Sequence, residues 1–158
     1  MFAIAITDHD WFEFLRMGQI TNCINFWTPS TWNIRNLQSG DKFYFMRKSP
    51  IRKIGGGGTF NSYSVMSINE AWEKYGKGNG CENRNALIGK IRDYAKPFKP
   101  KESQGLHRIG CIELKDCRPI YKKNLDPIDF NIDIPKNMQK IKYFCETDSF
   151  ESNIFNTD

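Results

Sequence analysis

The chain has 158 residues, 39% of them apolar and 14% aromatic, with 23 bases, 18 acids and a net charge of +5. That is enough length and apolar content for one packed domain burying about two-thirds of its unfolded surface, and it excludes a disordered chain. No apolar run nears the roughly 20 residues of a membrane span, and Met1-Phe2-Ala3-Ile4 lacks the basic start of a signal peptide, so a soluble cytoplasmic protein with no membrane partner is expected.

Phe2 to Ile6 carries no charge and reads as a buried strand. Thr7 or Asp8 caps a short helix through Arg16, because Trp11, Phe12, Phe14 and Leu15 recur near helical spacing. Gly40-Asp41 is a turn feeding Lys42 to Met46, a strong aromatic and apolar strand. After a basic loop and the glycines Gly55 to Gly58, Thr59 to Ser67 alternates as its antiparallel partner. Ser67 and Glu70 form a capping box that starts a helix through Ala71, Trp72 and Tyr75, stopped by Gly76. Asn83 to Ala95 is a second helical stretch, with Ala86, Leu87, Ile91 and Tyr94 on one face. Lys96 to Gly105 is a polar loop. Arg108 to Leu114 returns to strand, Pro119 to Tyr121 continues the sheet, and Lys140 to Cys145 forms a last strand. Five or six strands with two or three inserted helices predict an α+β domain built on a small, curved, mainly antiparallel barrel.

The five cysteines, Cys23, Cys81, Cys111, Cys117 and Cys145, are scattered without a C-x-x-C pair, and only His9 and His107 offer imidazole. Reduced, mostly buried thiols are expected, with no metal site and no cofactor. Charge is unevenly placed: residues 1–142 hold 23 bases against 14 acids, a net of +9, and residues 143–158 hold four acids and no base. Such a body favours a polyanionic partner.

Flat rings that stack a base, cations that hold phosphate and glycines that admit a close backbone are the requirements of a nucleic-acid reader. Trp27 lies between a strand-like segment and the break at Pro29, so it is either a stacking wall or a core tryptophan, with Phe26 beside it. Asn25 offers a donor and an acceptor to a base edge, or simply forms a turn. Ser30 adds a hydroxyl. Gly57 and Gly58 lack the spacing of a P-loop or a dinucleotide fingerprint. They form either a bulged strand start or a surface a base approaches closely. Arg47, Lys48, Arg52 and Lys53 precede them and suit phosphate. Phe60 alternates between core and pocket. Trp72 shares a helix face with Tyr75, a core pattern first and a pocket wall second, and Asn79-Gly80 is a turn before it is a contact. Lys96, Lys99 and Lys101 describe a basic loop that either touches DNA or is solvated. No residues form a catalytic set. Asp8, His9 and Asp10 are compact, but acids at a helix start explain them.

Together the blocks Thr7-Asp8-x-x-Trp11-Phe12-x-Phe14-Leu15, Asn25-Phe26-Trp27-x-Pro29-Ser30, Leu37-x-x-Gly40-Asp41-x-Phe43-x-Phe45, Gly56-Gly57-Gly58-x-Phe60, Ala71-Trp72-Glu73-x-Tyr75-Gly76-x-x-Asn79-Gly80 and Ile109-Gly110-Cys111-Ile112 resemble the PUA-like domain that precedes HNH nucleases in predicted bacterial restriction enzymes. The likeness runs over about residues 2–145. It implies a PUA-like barrel akin to SRA, EVE, YTH and ASCH domains. It further implies a module that holds a flipped, modified DNA base and directs a nuclease in modification-dependent restriction. No His-Asn-His pattern follows, so residues 1–145 are expected to be a reader domain without cutting activity and 146–158 an acidic tail or linker. A modified-RNA reader is the alternative, and a stand-alone nuclease the third reading.

Overall fold

The computed structural model describes residues 1–32, 34–95, 97–118, 125–130, 132–136 and 140–145. The expected strand at Pro119 to Tyr121, the loop cation Lys96 and the acidic tail 146–158 lie outside the described residues. Six strands, β1 (Phe2–Thr7), β2 (Ile24–Thr28), β3 (Lys42–Arg47), β4 (Ile54–Ser67), β5 (Arg108–Arg118) and β6 (Ile141–Phe144), form one sheet ordered β2-β5-β4-β3-β1-β6. Three helices, α1 (His9–Met17), α2 (Ile68–Tyr75) and α3 (Arg84–Tyr94), complete an α+β domain. No helix among the described residues is long and apolar enough to cross a membrane.

Each helix begins where its cap chemistry places it. The Asp8 carboxylate accepts from the Trp11 amide at 3.1 Å, Ser67 and Glu70 make the reciprocal capping box, and Asn83 accepts from Ala86 at 2.8 Å. The strands β1 and β3 are buried on both faces, and their period of two splits them between two cores. Ala3, Ala5, Phe43 and Phe45 pack with Trp11, Phe12 and Leu15 of α1 and with Phe26. Phe2, Ile4, Tyr44 and Met46 pack on the opposite face with Ile54 and Ile132. A third cluster sets α2 and α3 on β5 through Ile68, Ala71, Leu87, Ile91, Ile109 and Cys111. Ala86 and Tyr94, expected on the same helix face, are exposed instead.

One sequence expectation needs correction. The antiparallel partner of β3 is mainly the glycine tract: Phe43, Tyr44 and Phe45 stand opposite Gly58, Gly57 and Gly56, and of Thr59 to Ser67 only Thr59 reaches β3, opposite Lys42. The stretch from Phe60 to Ser67 pairs with β5 alone. The glycines are strand because aromatic rings occupy the space side chains would need. A Cβ on Gly57 would stand 2.6 Å from the Tyr44 ring, and one on Gly58 would collide with the Cys117 sulfur. The tract is therefore buried, closed to a base or a phosphate. Most pairings are antiparallel, but β1 and β3 run parallel in the register Phe2↔Lys42 to Thr7↔Arg47. Register shifts at Phe45/Met46, Gly57/Thr59 and Phe60/Ser62 mark bulges, which bend a sheet. The sheet is curved and stays open, with β2 and β6 at its edges.

Candidate nucleic-acid pocket

Parallel pairing brings the ends of β1 and β3 to the same edge of the sheet. Asp8, one residue past β1, therefore meets Lys48, one residue past β3, at 3.5 Å. Beside them, β2 ends in Trp27 and Thr28, the chain turns through Pro29 to Trp32, and the last residue of α3, Tyr94, closes over the gap. Asp8, Lys48, Trp27, Pro29, Trp32, Tyr94 and Lys140 line a cavity of about 310 Å³, at the small end of the range for ligand sites, together with Ile6, Trp11 and Phe26.

The ring walls are held by their polar edges. The Trp27 indole N–H donates to the Asn79 carbonyl at 3.0 Å, and the Trp11 indole N–H to the Asn25 carbonyl at 3.2 Å. Asn79 in turn donates from its side chain to Ala71 and Gly76 carbonyls at 3.0 and 2.9 Å and accepts from Asn25 at 2.9 Å. Trp27 is half-buried and packs against two of the cores while presenting its remaining surface to the cavity. The Tyr94 ring lies 6.2 Å from it, tilted by 51°. Trp32 has the Lys140 ammonium 5.4 Å from its centroid.

Among the described residues, Asp8 is the one carboxylate lining the cavity. It accepts from the Tyr94 hydroxyl at 2.8 Å and lies 3.7 Å from the Lys90 ammonium. Burial pushes its pKa up. The Tyr94 hydrogen bond, the Trp11 amide and the charges of Lys90 and Lys48 outweigh that and hold it below the ordinary carboxylate value. Burial likewise disfavours charge on Lys48, but its bond to Tyr94 at 3.0 Å and its pairing with Asp8 raise its pKa overall. At neutral pH the pocket therefore presents an ionised acceptor, two ammonium groups and flat aromatic faces.

Of the residues the sequence suggests for base contact, Phe26 and Trp27 line this cavity. Asn25 and Asn79 are fully buried and brace Trp27 from behind instead of facing it. Ser30 is exposed next to Pro29, and its carbonyl accepts from the Thr28 hydroxyl. Gly57, Gly58 and Phe60 are core, and Trp72 packs against the α2/α3 cluster. Among the suggested phosphate contacts, Lys48 lines the cavity and Arg47 does not. Arg47 is paired with Glu13 at 2.9 Å, lies over the Phe12 ring at 4.7 Å and leaves only 15% of its side chain exposed, so it is a structural cation. Lys53, Lys99 and Lys101 are exposed. Arg52 donates to the Pro135 carbonyl at 3.2 Å beside a wider cleft of about 670 Å³. The described residues lining that cleft are aliphatic, methionine, proline and charged, with no aromatic ring among them. Sequence reasoning did not select Asp8, Trp32, Tyr94 and Lys140 for the pocket. A second tryptophan three residues after Pro29 was the available signal for Trp32. Nothing local marks the other three, which come together only through the parallel strand pair and the position of α3.

The chain matches no protein-family model and no curated protein. It is similar to the crystal structure of the ASCH protein from Zymomonas mobilis, at 11% identity over 99% of this chain and 96% of that one, with a TM-score of 0.62. Two point mutants of that protein give TM-scores of 0.62 and 0.61 at 9% and 11% identity, each covering 99% of this chain. At such identities the likeness is one of fold, and the fold is the ASCH-type, PUA-like one.

Proposed function

We propose that this chain is a nucleic-acid reader that accepts a single extruded, modified DNA base in the Trp27 pocket and directs a fused or partner HNH-type nuclease to it. The observation that carries the reading is the ring-walled cavity of about 310 Å³ with Lys48 and Lys140 in its lining, on a chain of net charge +5. Extrusion of a base costs a few kcal/mol, and stacking on aromatic faces returns about 1–3 kcal/mol per base. Trp27 and Trp32 offer the faces. Asp8, an ionised acceptor, takes an N–H from the base edge, as carboxylates do from an exocyclic amine. Lys140 and the exposed Lys53, Lys99 and Lys101 supply the sequence-independent attraction to phosphate. Cleavage belongs to the partner nuclease in this reading.

The test is a binding panel at fixed salt: plain duplex, duplexes carrying methylated, hydroxymethylated or glucosylated bases, and modified and plain single-stranded RNA. At least one modified duplex is expected to bind more tightly than the plain one, and Trp27→Ala to abolish that difference. Equal affinity across all DNA arms overturns the modified-DNA reading, and tighter binding of a modified RNA assigns the same pocket to RNA.

A further inference from the structure

The Trp32 wall stands on an irregular segment, residues 29–32, and its geometry depends on what ties that segment to the sheet. We propose that Tyr63 is a positioning residue of the pocket, fixing the Trp32 wall through its hydroxyl; this rests on the reading of the cavity as a base-binding site. Tyr63 is on β4, half-buried, and does not line the cavity. Its hydroxyl oxygen accepts the Trp32 backbone N–H at 2.8 Å, across 31 residues of sequence. The space for that hydroxyl is left by a glycine. Gly110 on β5 lies across from both Thr28 and Val65, and a Cβ there would stand 2.7 Å from the Tyr63 oxygen and collide with the Thr28 hydroxyl. A second tether lies three residues earlier, where His107 Nε2 donates to the Pro29 carbonyl at 3.0 Å. Thr28 holds the Ser30 carbonyl at 2.5 Å, a contact local to the turn. Among the described residues, the Tyr63 bond is thus the hydrogen bond that carries Trp32 itself to a strand. Burial raises the Tyr63 pKa above the ordinary phenol value, so its hydroxyl stays neutral across the physiological range.

An anchored ring stacks a base without first losing its own freedom, and a loosened one forfeits part of the stacking energy to ordering. Tyr63→Phe deletes one oxygen, keeps the ring packing and leaves the Trp32 N–H without its acceptor. The experiment uses the full chain in two measurements. The first is acrylamide quenching of Trp32 fluorescence in the free protein, taken as the difference between Tyr63→Phe and Tyr63→Phe/Trp32→Phe and compared with the same difference in the wild-type background. The second is affinity for the tightest-binding oligonucleotide of the panel and for plain duplex. The expected result is greater quenching of Trp32 and about tenfold weaker binding of the preferred ligand, with plain-duplex affinity unchanged. Unchanged Trp32 quenching overturns the positioning role whatever the binding result, and so does greater quenching with full affinity for the preferred ligand. Failure of the pocket reading shows separately, as full base-selective affinity in Trp32→Ala and Trp27→Ala.

Discussion

Replacing Trp27 by Leu tests the pocket most directly. Leucine keeps an apolar side chain against the two cores that Trp27 touches but removes the flat face and the indole N–H that the Asn79 carbonyl holds. A stacked base loses about 1–3 kcal/mol with its aromatic partner, which is a fall of about five- to 150-fold in affinity for the preferred ligand. The indole is already fixed in place, so the wild-type protein does not order it on binding and the loss belongs at the upper end of that span. On the proposed reading plain duplex is held by exposed lysines outside the pocket, and it is expected to keep its affinity because counterion release does not involve the ring. Fluorescence anisotropy titrations with labelled modified and plain duplexes at one salt concentration give both numbers, and thermal unfolding of the same samples reports whether the variant remains folded. A folded Trp27→Leu protein that binds both duplexes as the wild type does, or loses affinity for both equally, would refute the reasoning.

Other expectations follow from the charges and thiols. The folded-state pKa of Asp8 is depressed, so its contribution to stability is present above the unfolded value of about 3.9 and is lost as pH falls through the folded one. Asparagine caps a helix as well as aspartate does. Urea midpoints of Asp8→Asn should therefore fall less than those of wild type between pH 7 and pH 3, and an equal fall would deny the ion-pair account. Lys140→Ala should reduce the slope of log affinity against log salt by about one, because each phosphate contact contributes about 0.9. Arg47→Ala should leave that slope alone and lower the unfolding midpoint, since Arg47 is spent on Glu13 and Phe12. Burial pushes the thiols of Cys81 and Cys111 up to about 11 and that of Cys117 up to about 12. In native protein near pH 7.5 a chromogenic disulfide reagent should modify the exposed Cys23 and Cys145 quickly and the other three only after unfolding.

Much of the architecture could be read from the residues because its causes are local. Asp8, Ser67 with Glu70, and Asn83 cap helices through side chains reaching three residues ahead, and the uncharged Phe2 to Ile6 has no polar group to keep it out of a core. The glycine tract misled for a related reason. Four glycines lack β propensity of their own, and pairing with Phe43, Tyr44 and Phe45 of β3 makes a strand of that stretch. Asn25 and Asn79 carry side chains suited to a base edge, yet both are buried, where the Asn25 amide donates to the Asn79 side-chain oxygen, 54 residues away in sequence. Arg47 and Lys48 are chemically similar neighbours in sequence with different partners, Glu13 in one case and Asp8 with Tyr94 in the other.

The amino-acid order alone determined where the three α-helices begin, that the body is basic, and that aromatic side chains gather near Trp27, because caps, periodicity and composition act within a few residues. Tertiary structure decided that β1 and β3 run parallel, and with that which charged groups stand at the pocket. Asp8, Lys48 and Tyr94 meet across separations of 40, 46 and 86 residues, contacts that no local preference encodes and that arise only when the two strand ends share one edge of the sheet.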